Sequence, residues 1–191
     1  MKLSRSDTVR VHEYAEIVSQ EIDRIALIVE ELHKFHRPSR VEFSAVDVRE
    51  FLENTLGLAA RQLKGSGIEV DFHTTEEPLF VAGNADHLRQ VFLNLILNAR
   101  SAMDRGGRLT VVLERRDQQV FIRFHDTGPG IPRDVLPHIF EPFFTTKGEH
   151  GSGLGLSICD GIIKSHKGSI TFNSEVGGGC FDLLLPLNEK L

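Results

Sequence analysis

The sequence predicts an α+β fold, a two-layer sandwich in which a mixed β-sheet is covered on one face by helices. Two observations lead to this class. Apolar residues recur at helical spacing in several long segments, and alternating apolar residues mark strands that come in pairs around short turns. The helices and strands do not alternate regularly, as they would in a fold of parallel β-α-β units. A chain of 191 residues has room for one such domain and an additional helix.

The first forty residues are predicted to form a separate unit, a long helix with coiled-coil spacing. No glycine or proline interrupts residues 8–36, and Pro38 ends the pattern. A helix with a broad apolar stripe requires a partner, either a second helix or a second copy of the chain. The apolar residues of this heptad seam are Val11, Ala15, Val18, Ile22, Ile25, Val29 and Leu32.

Residues 41–191 are predicted to form the main domain, with four helices. Apolar residues at three- and four-residue spacing mark helices at 46–63 and 152–165 and a short one at 135–140. A fourth helix contains the apolar run around Phe92, and Asp86 is its candidate N-cap.

Six strands are predicted in the same domain, because apolar and polar residues alternate over short stretches. Asp117 and Gln118 form the turn of one hairpin, and the glycines of residues 177–179 form the turn of another. The strands comprise residues 68–72, 79–82, 108–116, 119–125, 168–174 and 180–185.

The composition excludes several kinds of protein. A net charge of −5 gives no basic surface for nucleic acid. The two cysteines, Cys159 and Cys180, form no CxxC pair, so we expect core residues and neither a disulfide framework nor a zinc site. The start has no secretion signal, and no window reaches the roughly 18 apolar residues of a membrane span. We therefore expect a cytoplasmic segment without membrane contact, although a longer parent protein could be membrane-anchored.

Asn94 and Asn98 are the first candidate site residues. They lie four residues apart and therefore project from the same face of the predicted helix. Their neighbours are apolar, and burying two amides there is costly unless they make hydrogen bonds or bind a ligand. Helix-packing asparagines satisfied by the backbone are the alternative.

Two glycine-containing segments supply further candidates. Asp126 ends a strand and enters a turn with Gly128 and Gly130, where a carboxylate can accept a hydrogen bond from the exocyclic amine of adenine. Residues 151–156 carry three glycines immediately before an apolar helix, whose unpaired N–H groups favour phosphate. Neither a Walker loop nor a Rossmann unit fits the glycine spacing. An ordinary aspartate-initiated turn remains the alternative for Asp126.

Five segments together resemble the N, G1, F, G2 and G3 boxes of the catalytic ATP-binding domain of sensor histidine kinases, in the gyrase–Hsp90–histidine kinase–MutL superfamily. The resemblance extends over about residues 46–185 and implies a Bergerat-type ATP-binding fold. Residues 8–36 resemble the second helix of the kinase dimerisation domain, and the short run 145–147 is similar to nitrogen-regulation-type kinases. The five boxes are residues 94–98, 126–131, 140–147, 151–156 and 177–179.

The resemblance implies roles for individual residues. Asn98 would coordinate Mg²⁺, and Asn94 would support the phosphates or the metal. Asp126 would recognise adenine, and Lys147, in the ATP lid, would contact phosphate and act in catalysis with the two asparagines. The other implied nucleotide-binding residues are Gly128, Gly130, Ile131, Thr145, Thr146, Gly151, Ser152, Gly153, Leu154, Gly155, Leu156 and Cys180.

The resemblance also implies a reaction and partners. The γ-phosphoryl group of Mg·ATP would pass to a histidine outside this segment and then to an aspartate of a response regulator. The implied partners are therefore the helix with the acceptor histidine, the cognate regulator and, in the full-length parent, a second copy of the chain. His12 begins a motif like His-Glu-x-x-Asn/Thr-Pro, but Glu16 and Ile17 stand at its last two positions, so we do not expect His12 to be the acceptor.

Two other functions remain open. ATP-hydrolysing members of the superfamily carry a glutamate as general base where this chain has Asn94, and an amide cannot take that role. Hydrolysis is therefore less favoured than transfer, which relies on positioning and magnesium electrostatics. A degenerate kinase that binds nucleotide or a partner without catalysis is the second alternative.

Overall fold

The computed structural model describes residues 42–148, 151–174 and 176–188. The predicted helix of residues 8–36 and the separate unit 1–40 lie outside these residues. Among the described helices, none is long and apolar enough to cross a membrane. The elements are β1 (Ser44–Asp47), α1 (Val48–Gly65), β2 (Ile68–Thr74), β3 (Phe80–Gly83), α2 (Ala85–Ala102), β4 (Gly107–Arg116), β5 (Gln119–Asp126), a 3₁₀ turn (Leu136–His138), α3 (Gly155–Ser165), β6 (Ser169–Phe172) and β7 (Gly179–Pro186).

The main sheet has five strands in the order β2-β4-β5-β7-β6. Strands β2 and β4 are parallel, and the other neighbours are antiparallel, so the predicted mixed sheet is confirmed. Both predicted hairpins are present, and Asp117 adopts a positive φ of 52° at the β4–β5 turn. Strands β1 and β3 form a separate antiparallel pair.

All three helices pack on one face of the main sheet. Alternate residues of β4, such as Leu109 and Val111, are fully buried towards the helices. Phe92 of α2 meets Phe124 of β5 with ring centroids 5.8 Å apart, at the centre of the core. The opposite face carries polar residues, among them the ion pair between Arg123 and Asp182. The α+β prediction is therefore confirmed. Both cysteines are buried and free, as expected.

The N-cap of α2 is Asn84, so the prediction of Asp86 is wrong. The side-chain oxygen of Asn84 accepts a hydrogen bond from the backbone N–H of His87 at 2.9 Å. Asp86 lies in the first turn instead, where its carboxylate faces the positive end of the helix dipole. Asparagine and aspartate can both cap a helix. Because β3 is paired with β1 up to Gly83, the helix begins directly after it and Asn84 takes the N-cap position.

Helix boundaries differ from the prediction where neighbouring elements compete. Helix α1 begins at Val48, two residues later than predicted, because Ser44–Asp47 pairs with β3. Only Leu136–His138 is helical in the predicted helix of residues 135–140, as a 3₁₀ turn. Helix α3 begins at Gly155, so residues 152–154 form a loop and the glycine-rich segment precedes the helix.

His166 connects the end of α3 to the beginning of α2. Its side chain is buried, Nδ1 donates to the carbonyl oxygen of Ile162 at 2.7 Å, and Nε2 accepts the backbone N–H of Asn84 at 3.0 Å. Both contacts require a neutral imidazole with its hydrogen on Nδ1. Burial lowers the pKa of His166, the hydrogen bond to Ile162 opposes this, and His87 lowers it further.

Acidification should therefore destabilise the domain through His166. Because the folded-state pKa is lowered, the folded chain binds fewer protons here than the unfolded chain, whose histidine pKa is about 6.5. The stabilisation is complete above about pH 6.5 and falls below it, by at most about 1.4 kcal/mol per pH unit.

We expect His166→Gln to flatten the decrease in unfolding free energy between about pH 7.5 and about pH 5.5, measured by urea titration. The exposed His73 provides the control substitution, His73→Gln, which should leave the decrease unchanged. An equal acid-induced loss in His166→Gln and the native sequence would contradict this role.

Candidate functional site

Asp126 is a buried carboxylate at the end of β5. Its side chain is 5% exposed, and Oδ1 accepts the backbone N–H groups of Gly128 at 2.9 Å and Gly179 at 3.3 Å. Burial raises the pKa of Asp126, while the two backbone hydrogen bonds and His125 act in the opposite direction. Within the described part of the chain, both hydrogen bonds go to Oδ1, which leaves Oδ2 as an acceptor for a ligand.

The turn after Asp126 is fixed to β4 and to α2. The N–H of Thr127 donates to the carbonyl oxygen of Arg108 at 3.1 Å, and Thr127 Oγ1 accepts the N–H of Arg108 at 3.0 Å. At Gly128, a Cβ would lie 3.0 Å from Ala102 and 2.7 Å from Asp126 Oδ1. Only glycine therefore fits between the carboxylate and the end of α2.

Gly179 belongs to the glycine box of residues 177–179, but it is not among the predicted nucleotide-binding residues. It is paired with Asp126 across β5 and β7, and a Cβ there would lie 2.2 Å from Asp126 Oδ2. Any side chain at this position would cover the carboxylate oxygen that remains available. The sequence signal for Gly179 is its place as the last glycine of the β6–β7 turn; its position opposite Asp126 comes from the pairing of β5 with β7.

Cys180 does not join this cluster. It follows Gly179 on β7 and pairs with His125, so its side chain lies on the opposite face of the sheet from Asp126. Its Sγ lies 3.9 Å from Asp182 Oδ1, within the polar face. The expected contact between Cys180 and a nucleotide base therefore has no support in the geometry.

The two asparagines of α2 make different contacts. Asn94 Nδ2 donates to the carbonyl oxygen of Gly155 at 3.3 Å and lies 3.8 Å from Cys159 Sγ, so it connects α2 to the beginning of α3. Asn98 Oδ1 accepts a hydrogen bond from Lys147 Nζ at 3.2 Å. The amide of Asn98 therefore presents its oxygen to a cation.

Lys147 is held by a short turn beside α2. Its backbone N–H donates to Thr145 Oγ1 at 3.1 Å, and a Cβ on Gly151 would lie 2.2 Å from that same oxygen. The Lys147 side chain is reached by solvent, yet the surrounding atoms lower its pKa by desolvation. Thr146 is exposed on this turn.

The loop before α3 requires glycine at Gly153. This residue has φ +69°, and a Cβ would lie 2.4 Å from the carbonyl carbon of Phe143. The backbone N–H of Leu154 donates to Ser152 Oγ at 3.3 Å. At Gly155 the nearest atom to a Cβ would be 3.8 Å away, an ordinary contact, so this glycine is not required by packing.

The beginning of α3 is suited to an anion. Leu154 occupies the N-cap position but provides no side-chain hydrogen bond to the first turn. The first N–H groups of a helix without such a cap point their partial positive charge outward. Leu154 is buried and Leu156 half-buried, so these two leucines anchor the loop in the core.

The C-terminal half of α2 brings these contacts together. Asn94 contacts the beginning of α3, Asn98 contacts Lys147, and Ala102 lies against Gly128 of the Asp126 turn. Residues four apart lie in one row on a helix, with about 6 Å between successive positions. Ile131 lies outside this row, in a cleft with Phe172 at the other side of the turn.

Comparison with known proteins shows the family of this chain. The family model described as "Histidine kinase-, DNA gyrase B-, and HSP90-like ATPase" matches residues 83–189. The sensor histidine kinase ZraS of Escherichia coli (strain K12) is 35% identical over 178 residues, covering 93% of this chain and 38% of that protein. Sporulation kinase D of Bacillus subtilis (strain 168) is 36% identical over 179 residues, with 93% and 35% covered. The chain thus spans little more than a third of these relatives.

Solved structures of histidine kinases have the same fold. The nucleotide-free catalytic domain of histidine kinase ThkA superposes with a TM-score of 0.70 at 33% identity, covering 76% of this chain and 97% of that one. ThkA in complex with the response regulator protein TrrA gives a TM-score of 0.74 at 29% identity, with 99% and 55% covered. The nitrogen-regulation subgroup stays a prediction.

Replacing Gly153 by Ala should destabilise the domain. A left-handed backbone costs a non-glycine residue about 1–2 kcal/mol, and the contact with Phe143 adds to this. Gly161→Ala is the matched control, because nothing lies within 4 Å of a Cβ in the middle of α3, and it should stabilise by about 0.5–1 kcal/mol. Urea unfolding measures both changes. Equal effects of the two substitutions would contradict the described loop.

Proposed function

Because the chain belongs to the histidine kinase-, DNA gyrase B- and HSP90-like ATPase family, we propose that its described domain binds Mg·ATP along the C-terminal half of α2 and transfers the γ-phosphoryl group to a histidine. The observation that carries the proposal is the arrangement of Asp126, Asn98 and Asn94. The buried carboxylate of Asp126 lies near Ala102, at one end of the row on α2. The amides of Asn98 and Asn94 lie one and two helical turns before Ala102.

Asp126 recognises adenine in this proposal. The exocyclic amine of adenine is a donor, and Asp126 Oδ2 is an acceptor whose partner oxygen is already held by Gly128 and Gly179. Because those two N–H groups fix the carboxylate, adenine binding does not have to order it. The absence of a side chain at Gly128 and Gly179 gives the flat base access.

The phosphates bind at the other end of the row. The uncapped beginning of α3 supplies backbone N–H groups, and Lys147 supplies a positive charge beside Asn98. Gly151 and Gly153 let the loop before α3 pack closely on Thr145 and Phe143, and we expect this loop to lie over the triphosphate.

Asn98 fits a role as Mg²⁺ ligand. Its Oδ1 is an oxygen donor of the kind that Mg²⁺ prefers, and it already accepts a hydrogen bond from the ammonium group of Lys147. Among the described residues, no three or more His, Cys, Asp or Glu side chains lie close enough together to hold a metal ion. Bound Mg²⁺ would therefore share its coordination with ATP phosphates and water, and it would neutralise phosphate charge.

Asn94 favours transfer to a protein side chain over hydrolysis. Its amide nitrogen is hydrogen-bonded to Gly155, and an amide has no basicity with which to activate water. We therefore propose that the acceptor is a histidine on another helix. Transfer would then depend on how this histidine is positioned beside the γ-phosphoryl group. The likeness to ThkA, which has been solved with a response regulator, supports a regulator as the next acceptor. A homodimer of the full-length protein stays a prediction.

Asp126→Asn should weaken ATP binding by about tenfold to a hundredfold. The amide keeps one oxygen for Gly128 and Gly179 but places a donor opposite the donor of adenine, which leaves buried groups unpaired. Titration calorimetry measures the affinity. Gln62→Ala, which removes an exposed amide of α1 paired with Arg100, is the control and should bind ATP normally. Unchanged ATP affinity in Asp126→Asn would contradict the adenine assignment.

The transfer reaction can be tested with radiolabelled ATP. In the presence of Mg²⁺, the γ-phosphoryl group should appear on the histidine of a supplied helix that carries a His-Glu-x-x-Asn-Pro sequence. Asn98→Ala should abolish this transfer, because the metal loses its protein oxygen, whereas Gln62→Ala should not. Steady release of phosphate without labelling of the acceptor would support a hydrolase instead, and ATP binding without either product would support a non-catalytic module.

A further inference from the structure

We propose that His125 is a positioning residue that holds the β6–β7 glycine segment, Gly177 to Gly179, against the carboxylate of Asp126. This inference rests on the proposed function, since the role of Asp126 in adenine recognition gives the position its importance. His125 precedes Asp126 on β5 and would act on the nucleotide only through it.

The contact is a hydrogen bond to the backbone of the glycine segment. His125 Nε2 lies 2.7 Å from the carbonyl oxygen of Gly177. A carbonyl oxygen can only accept, so Nε2 carries the hydrogen and donates it. Because side chains alternate along a strand, His125 reaches the segment from the face of the sheet opposite Asp126.

The segment lies between His125 and the Asp126 turn. Gly178 has φ +84°, and a Cβ there would lie 2.0 Å from the carbonyl oxygen of Asp126 and 3.5 Å from His125 Nε2. From the other side, a Cβ on Gly130 would lie 2.7 Å from the Gly178 carbonyl oxygen. Neither Gly178 nor Gly179 can therefore carry a side chain that would anchor the segment.

Three consecutive glycines need an external constraint. Glycine loses more backbone freedom on folding than any other residue, so this segment is the costliest part of the site to order. Gly179 pairs with Asp126 across β5 and β7, and the segment's hydrogen bond to the Asp126 side chain is the Gly179 N–H, which donates to Oδ1 at 3.3 Å, the longer of the two bonds to that oxygen. A long hydrogen bond breaks after a small displacement, so the constraint at Gly177 protects it.

Loss of the Gly179 hydrogen bond would act on one part of the nucleotide. It would leave the Asp126 carboxylate held by the Gly128 N–H alone, so the acceptor that meets the exocyclic amine of adenine would be held less firmly. Lys147, Asn98 and the beginning of α3 would be unaffected, because His125 contacts none of them in the described residues. The predicted effect is therefore confined to purines that carry the amine.

Two ligands separate this effect from a general loss of structure. ATP carries the exocyclic amine, and purine riboside 5′-triphosphate lacks it but keeps the ring and the phosphates. His125→Phe keeps a flat ring and removes the donor, whereas His125→Gln keeps an N–H donor. His73→Phe is the matched control, because His73 is exposed on the edge strand β2.

Calorimetric titration of the full chain with both triphosphates gives the test. His125→Phe should bind ATP about fivefold more weakly, as expected for one lost hydrogen bond, and should bind the purine riboside analogue with unchanged affinity. His125→Gln should recover most of the ATP affinity, and His73→Phe should match the native sequence. His125→Met, which also lacks a donor, answers the same question if His125→Phe does not fold.

Two results would overturn the inference. Equal weakening of both triphosphates in the donor-free variants would mean that His125 supports the fold in general, and unchanged binding of both would mean that the contact with Gly177 has no effect on recognition. If the native chain itself does not prefer ATP to the analogue, the adenine assignment of Asp126 is wrong, and the proposed function fails together with this inference.

Discussion

The row formed by Asn94, Asn98 and Ala102 on α2 is the constraint on which the site depends. Each member contacts a different part: the beginning of α3, Lys147, and Gly128 in the turn after Asp126. The pitch of one helix therefore sets the spacing between the phosphate end and the base end of the proposed pocket. The helix is fixed in turn, because its opposite side is buried in the core.

The base end relies on backbone groups. Asp126 is buried, and two N–H groups from separate segments compensate for part of the cost of burying its charge. Side chains at Gly128, Gly178 or Gly179 would collide with Asp126. The glycines of two distant motifs are thus needed for one reason, which is to let backbone approach a single residue, Asp126.

Local patterns could predict the class of fold and the hairpins, because turn residues and alternation are short-range signals. Tertiary contacts determine what local patterns could not predict: β1 pairs with β3, and Gly153, inside the predicted helix, has a left-handed backbone packed against Phe143. In the site, the motifs identify Asp126 and the asparagines. A motif also contains Gly179, but its contact with Asp126 follows only from strand register, and the contact of Ala102 with Gly128 follows only from helix packing.

A crystal structure with a non-hydrolysable ATP analogue and Mg²⁺ tests the central claim most directly. The account predicts the exocyclic amine at Asp126 Oδ2, the metal at Asn98 Oδ1 in place of the Lys147 ammonium group, and the phosphates at the beginning of α3. A base bound away from Asp126, or a metal that does not touch Asn98, would contradict it.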